Sequence, residues 1–540
     1  MNIGKKNTCG AAVFFLSIGI SLFILFSSGS HGQRGFPLDD AWIHLVYGRS
    51  IAQNGFLAYN TGIPSTGSTS PLWAYVLGMV HVTLRQTVFI IWGAKILGLV
   101  LHAAMAFLSF RLVLAVTSSV WSGFLTGVFL GSCPSLAATS LSGMEISLGC
   151  MLCLAGIFYF LQGRWRLSGL LLGLAGLTRP EFGAVILVLI VDMLVRIEKR
   201  KASARAAFHF AWPVVLLAGL YLGWNLTVDG RLFPATFYGK AMLKGGMDAG
   251  QRIVVGLGMI TSDAPLAGGI IAIGLLCLFL IRDAERRPIF ILLLSGMFYL
   301  GGNLAIIPPV DPDAFYHLRY LLPAVPLLFT GIAAGTASGA KVLGQIISTK
   351  KKRTPNVFEI LFFSALGLVI VFFMIWTVSG LKFWRNKYSR DCRNINEVQV
   401  ELGRAIARGL SPDARVGTID AGAIRYFGGR FTVDLMGLNT PEADDYNCEK
   451  QSLDALVLMP AWIRLPSHHN LIPVLVRQTG DYRVTSNPRM NQQLIAVCCP
   501  NSLPGKQGLR INILGKIRYV CLRCLSSTQV DRLKNSLASE

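Results

Sequence analysis

Charge is scarce in this chain. Only 14% of its 540 residues are Asp, Glu, Lys or Arg, and the acids are the rarer kind, 28 against 50 Lys and Arg. No internal repeat and no low-complexity tract is visible, which removes one mark of the inverted-repeat transporters. The GxGxxG fingerprint is absent, so a dinucleotide cofactor is not expected. Cys521-Leu-Arg-Cys524 is a lone CxxC with no second pair and no histidine at ligand spacing, and a structural zinc is not expected there. What the chain has is apolar length. It is 53% hydrophobic with a mean hydropathy of +0.53, and uncharged runs of about 18 residues or more recur, the length that spans a bilayer core. The expected fold class is an α-helical polytopic membrane protein.

The formal net charge of +22 would point to nucleic acid in a soluble protein. In a polytopic chain the same residues gather in cytoplasmic loops and meet anionic lipid, so the expected partners are membrane lipids and no nucleic acid. Hydropathy places about eleven spans, near 11–29, 88–110, 119–137, 145–161, 167–178, 182–195, 207–226, 264–281, 288–304, 320–338 and 360–378. Lys5 and Lys6 precede the first run, Ala11 to Gly29, which is longer than a signal-peptide core of about 7 to 15 residues and reads as a retained span. With the amino terminus inside, the inner segments hold 18 Lys and Arg, and the longer outer loops hold fewer. That orientation predicts an inner (plasma) membrane protein whose C-terminal domain is extracytoplasmic.

Leu167 to Val195 is long enough for one helix, yet Arg164 and Arg166 flank it on one side and Arg196 to Lys201 on the other. Both ends favour the cytoplasm, which predicts a hairpin turning at Thr178-Arg179-Pro180-Glu181; a proline-kinked helix in which Arg179 and Glu181 pair is the alternative. From residue 381 charge rises and apolar runs shorten. The pattern there predicts a small α/β domain: a helix near Ile395 to Arg408, strands at 415–419, 430–434, 454–459, 482–485 and 494–498, and a short helix from Ala421. Six of the eleven cysteines lie in it (Cys392, Cys448, Cys498, Cys499, Cys521 and Cys524), and fifteen pairings are open to them.

Between the first two spans lies the polar stretch Phe36 to Trp73, with adjacent carboxylates Asp39 and Asp40 about ten residues past the first apolar run. Six motifs stand in order along the chain: Asp39-Asp40-Ala41, GSTSPLW at Gly67 to Trp73, SGMEISL at Ser142 to Leu148, LTRPEFG at Leu177 to Gly183, HLRYLLPAVPLL at His317 to Leu328, and DAGAIRYFGGRFTVDLMGL at Asp420 to Leu438. Together they resemble the GT-C type of polytopic glycosyltransferase, and within it bacterial members similar to the mycobacterial terminal arabinofuranosyltransferase of the cell wall.

The resemblance implies transfer of a sugar from a polyprenyl-phosphate carrier to a glycan, lipid or protein acceptor, with inversion at the anomeric carbon. Such chemistry needs a carboxylate to take the acceptor's hydroxyl proton and cations to hold the departing phosphate. Consecutive residues cannot aim at one atom, so Asp39 is expected as the base and Asp40 as an orienting group; the competing reading of Asp39 is an N-cap for a helix starting at Ala41. The phosphate-binding candidates are His317, Arg319 and Tyr320, Arg179 with Glu181, and Arg49, nine residues past Asp40 on the same helix, with Arg231 and Lys240 expected to snorkel to the headgroups instead. Glu145, opening the fourth span, reads as a helix-dipole partner. Paired aspartates at a phosphate also admit a divalent cation. The rival class is a transporter or flippase of lipid-linked saccharides, which would place its ionisable residues at mid-membrane; here only Lys95 and Asp192 lie within spans.

Overall fold

The computed structural model describes residues 3–241, 250–251, 254, 283–306, 319–348, 357–440, 452–458, 463–464, 471–478, 492–498, 506–513, 516–523 and 527–538. The expected span at 264–281, the strand at 482–485, His317, Cys448, Cys499 and Cys524 lie outside these residues. Helices dominate the first three quarters. α1 (Ile3–Ser27) leads through the short α2 (Gly29–Arg34) to α3 (Asp39–Asn54), then come the strands β1 (Ala58–Asn60) and β2 (Ile63–Pro64) and helix α4 (Pro71–Thr83). α5 (Thr87–Thr117), α6 (Val120–Ser132), α7 (Pro134–Ser140), α8 (Ile146–Leu161), α9 (Trp165–Thr178), α10 (Gly183–Glu198), α11 (Ala204–Asp229) and α12 (Ala235–Ala241) follow, and then α13 (Asp283–Ile306), α14 (Ala324–Ser348) and α15 (Val357–Ile395). Among the described residues five helices are long and apolar enough to cross a membrane, six if a bent pair counts as one span.

That bent pair falls on the expected span at 119–137 and breaks it in two. α6 and α7 meet at 59° at Cys133, because Pro134 starts a new helix there and has no N–H to continue the old one. Helix packing uses glycine where axes come close. A Cβ at Gly98 would sit 1.9 Å from the Ser140 carbonyl oxygen, and one at Gly169 2.0 Å from that of Phe210. Gly169 meets Phe210 while Gly173 meets Pro213 and Val214, so α9 and α11 run parallel and the chain turns back between them. Asp192 on α10 accepts two bonds from Arg287 on α13, at 2.9 and 2.7 Å, and so serves as an inter-helix tie.

α15 runs unbroken through residue 381, and its last turns lead into the C-terminal domain. A π-helical turn (Asn396–Val400) and α16 (Glu401–Gly409) precede β3 (Arg415–Thr418), α17 (Ala423–Gly428), β4 (Phe431–Asp434), β5 (Ala455–Leu458), β6 (Ile463–Arg464), β7 (Leu471–Gln478), β8 (Gln492–Cys498), β9 (Lys506–Ile513), β10 (Lys516–Arg523) and α18 (Ser527–Ala538). One sheet has the order β4-β3-β5-β8-β7, parallel at β4-β3-β5 and antiparallel beyond; β10, β9 and β6 form a second, antiparallel sheet. The alternation of sequence predicts the strands of the parallel half and β8 beside it; β6, β7, β9, β10 and α18 are not anticipated there.

Several of the largest fully buried side chains among the described residues cluster in and beside the first loop. Phe36, Trp42, Tyr47, Tyr59 and Trp73, all from the first loop, are enclosed between the bundle and the C-terminal domain. Trp42 packs against Phe36, Tyr426 and Phe427 with ring centroids 4.9 to 5.3 Å apart. The loop is therefore packed as a wedge against the C-terminal domain.

Candidate active site

Asp39 and Asp40 open α3 and diverge. Helix α3 starts at Asp39 itself, with Leu38 as the preceding residue and no side-chain cap, which corrects the N-cap reading. The carboxylate of Asp39 instead accepts from the amides of Gly422 at 2.7 Å and Ala423 at 2.8 Å, where α17 begins. Burial and the nearby Asp420 carboxylate push the Asp39 carboxyl well above its usual range, against the lowering effect of those two amide bonds. Both of its oxygens are engaged in holding the two domains together.

Further bonds run along the same seam. Tyr59 donates its hydroxyl to the Ala421 carbonyl at 2.6 Å, and Asn60 exchanges two bonds with the Thr432 backbone, each 2.9 Å. Arg425 donates to the Tyr59 carbonyl at 3.1 Å, and Ser65 to that of Asn439 at 2.8 Å. Arg49 belongs to this seam as well. Its guanidinium donates to the Tyr426 carbonyl at 2.9 Å and lies 4.5 Å from the Tyr426 ring, so it faces the C-terminal domain. Gly422 fits only because it lacks a side chain, since a Cβ there would lie 2.1 Å from the Asp39 carbonyl oxygen. Gly422→Ala is accordingly expected to loosen this domain contact, read as faster amide hydrogen exchange at 421–428 and in the first turn of α3, with the bundle unchanged.

Asp40 points the other way, into the bundle, where it pairs with Arg319. Arg319 is only 3% exposed and also donates to the Tyr320 hydroxyl at 3.0 Å. Arg179, buried at the turn after α9, stands 5.0 Å from the same Tyr320 ring, whose centroid is 4.9 Å from Arg319. Two guanidiniums thus converge on one tyrosine. Arg179 is held by Glu145 at 2.9 Å and Glu181 at 3.1 Å, and His44, one turn along α3 from Asp40, lies 3.2 Å from the second oxygen of Glu145. Glu145 thus faces Arg179 with one carboxylate oxygen and His44 with the other. It is a counter-ion, where the sequence pointed to a helix-dipole partner.

Five of the sequence-predicted residues therefore meet: Asp40, Arg179, Glu181, Arg319 and Tyr320. Asp39 and Arg49 sit apart, at the domain seam. Arg231 lies 4.0 Å from Asp229, and the side chain of Lys240 is outside the described residues. His44 was not singled out in the sequence; its position four residues after Asp40, on the same helix face, was the available signal. Among the described residues no group of three or more His, Cys, Asp or Glu side chains has the arrangement of a metal site, and the two aspartates do not converge on one point.

A family profile described as a domain of unknown function matches residues 393–498. No curated protein sequence matches the chain. Among solved structures, ArnT from Cupriavidus metallidurans in the apo state superposes with a TM-score of 0.56 at 15% identity, covering 89% of this chain and 97% of that one. The same protein bound to undecaprenyl phosphate gives a TM-score of 0.58 at 12% identity over the same shares. The chain therefore has the fold of these structures: a bundle of long apolar helices followed by a C-terminal domain that contains sheet.

Proposed function

We propose that this protein is an inverting glycosyltransferase that moves a sugar from a polyprenyl-phosphate carrier to a cell-envelope glycan, lipid or protein acceptor on the extracytoplasmic face. The observation that carries the reading is the pair of half-buried Asp40 with buried Arg319, with Arg179 across Tyr320. An anionic phosphate binding at Arg319 and Arg179 competes with Asp40 for the same guanidinium and releases the carboxylate next to the reacting centre. The acceptor oxygen attacks the anomeric carbon, the bond from that carbon to the phosphate oxygen breaks, and the acceptor's hydroxyl proton passes to Asp40. The lipid phosphate leaves with the bonding electrons, its charge met by the two arginines. Glu145, Glu181 and His44 fix Arg179 and do not touch the reacting atoms.

This division departs from the expected one, in which Asp39 is the base. Asp39 has both oxygens committed to amides, so Asp40 is the better candidate and Asp39 a docking residue. The fold similarity to a structure with undecaprenyl phosphate bound supports a donor of the polyprenyl-phosphate kind. The test is incubation of membranes containing the protein with radiolabelled polyprenyl-phosphate arabinose, mannose, glucose, galactose and aminoarabinose. Label transferred with inverted anomeric configuration supports the reading; no turnover of any donor, together with carrier translocation in vesicles, would replace it with transport.

A further inference from the structure

α11 carries Tyr221, Asn225 and Asp229 at steps of four, so they share one helix face over its last turns. Elsewhere this helix is apolar and exposed: Phe208, Val215 and Leu220 are 65 to 67% exposed, as suits a lipid-facing span. Asn225, by contrast, is completely buried. Polar groups placed inside a membrane-spanning helix are costly and commonly serve a ligand or a pathway.

The polar face meets the loop between β2 and α4. The Tyr221 hydroxyl donates to the Ser68 carbonyl at 2.8 Å, and Thr66 faces the carboxylate of Asp229. Asn225 donates its amide to the Leu232 carbonyl at 3.2 Å. Five enclosed polar atoms here have no hydrogen-bond partner among the described residues: the hydroxyl oxygens of Thr66 and Ser68, the amide oxygen of Asn225, the indole nitrogen of Trp224 and one carboxylate oxygen of Asp229. Ser68 itself is 3% exposed, so water does not reach it freely. Together the group offers a carboxylate, an amide, hydroxyls and an indole. The neighbouring cation, Arg231, lies 4.0 Å from Asp229. That donor and acceptor mixture suits neighbouring hydroxyls on a sugar ring and gives a phosphate little to hold.

We infer that Ser68, Thr66, Tyr221, Trp224, Asn225 and Asp229 form a saccharide subsite that receives the neutral hydroxyls of the acceptor glycan. The inference rests on the glycosyl-transfer reading, and it places the acceptor at the end of α11, beside the loop whose Ser65 is bonded to Asn439 of the C-terminal domain. The phosphate-binding arginines belong to a different set of contacts, which is why the subsite is assigned to the acceptor and not to the donor.

The test uses the full chain in lipid nanodiscs and saturation-transfer difference NMR with methyl glycosides of arabinofuranose, mannose, glucose and galactose. At least one glycoside is expected to bind saturably, and Asn225→Leu to weaken it at least tenfold in protein that remains folded and monodisperse. Ser68→Ala with Trp224→Phe is the second variant, should Asn225→Leu fail to fold, with the same expected loss. Absence of binding by every glycoside, or binding indifferent to these substitutions, overturns the subsite. Donor turnover by the wild-type chain is measured in parallel. Turnover without glycoside binding removes the subsite and leaves the transfer reading intact; binding lost in the variants without any donor turnover leaves a carbohydrate site and removes the transfer reading.

Discussion

Asn in place of Asp40 is expected to cut glycosyl transfer by about 10²- to 10⁴-fold, the range that a positioned general base contributes. The amide keeps the shape of the side chain and its place at the start of α3 but cannot take a proton. Because Arg319 loses its counter-ion, phosphate binding should survive or tighten, so the loss falls on kcat and not on the donor's KM. Arg319→Gln should also cost transfer, by about 10²- to 10³-fold, through lost stabilisation of the leaving phosphate. The double variant should lose less than the product of the two, since both side chains act in one contact. Asp39→Asn is the comparison: it keeps a group able to accept from one amide, and its main effect should be a looser domain seam. Initial rates with the radiolabelled donor, with each variant checked for membrane yield and detergent-solubilised monodispersity, decide the matter. If Asp39→Asn abolishes transfer in a protein whose seam is intact by hydrogen exchange, while Asp40→Asn transfers normally, the roles are reversed.

Lys95→Met is expected to destabilise the protein by about 1–3 kcal/mol, on the scale of uncompensated buried polar groups. Lys95 is fully buried in α5, and its ammonium donates to the carbonyls of Gly32 at 3.0 Å, Gly35 at 2.7 Å and Leu141 at 3.3 Å, and to the Tyr388 hydroxyl. One side chain thus ties α5 to the approach to Asp39, to the chain before Glu145 and to α15. Methionine fills a similar volume and supplies none of these donors. Tyr388→Phe should cost less, because its ring remains in place and the ammonium keeps three carbonyls. Thermal unfolding in detergent, followed by scattering and by tryptophan fluorescence, gives the ranking. A Lys95→Met protein as stable as the wild type would show that the buried ammonium is not what holds these segments. The same substitution moves the segments that carry Asp40 and Glu145, so activity should fall even in the folded fraction.

Hydropathy and order of motifs determined the class of this protein without help: long apolar helices, a polar first loop bearing paired aspartates, and a C-terminal domain of mixed pattern. These are local properties, set by period and run length, and they survive in any correct fold. The sequence also marked Lys95 and Asp192 as unusual charges within spans; it could not say that one ties three carbonyls from two segments and the other holds Arg287. Nor could it divide Asp39 from Asp40. Adjacency showed that the two must point apart, but which faced the arginines depended on contacts with Gly422 and Arg319, each more than 270 residues away. Arg49 and Arg319 look alike in one dimension, each a cation near an acidic or aromatic neighbour, and only packing sent the first to the domain seam and the second to Asp40. Pairing across such separations is chosen by which buried charges the whole fold can bring together and desolvate at once, and that sum is not written in any single stretch of the chain.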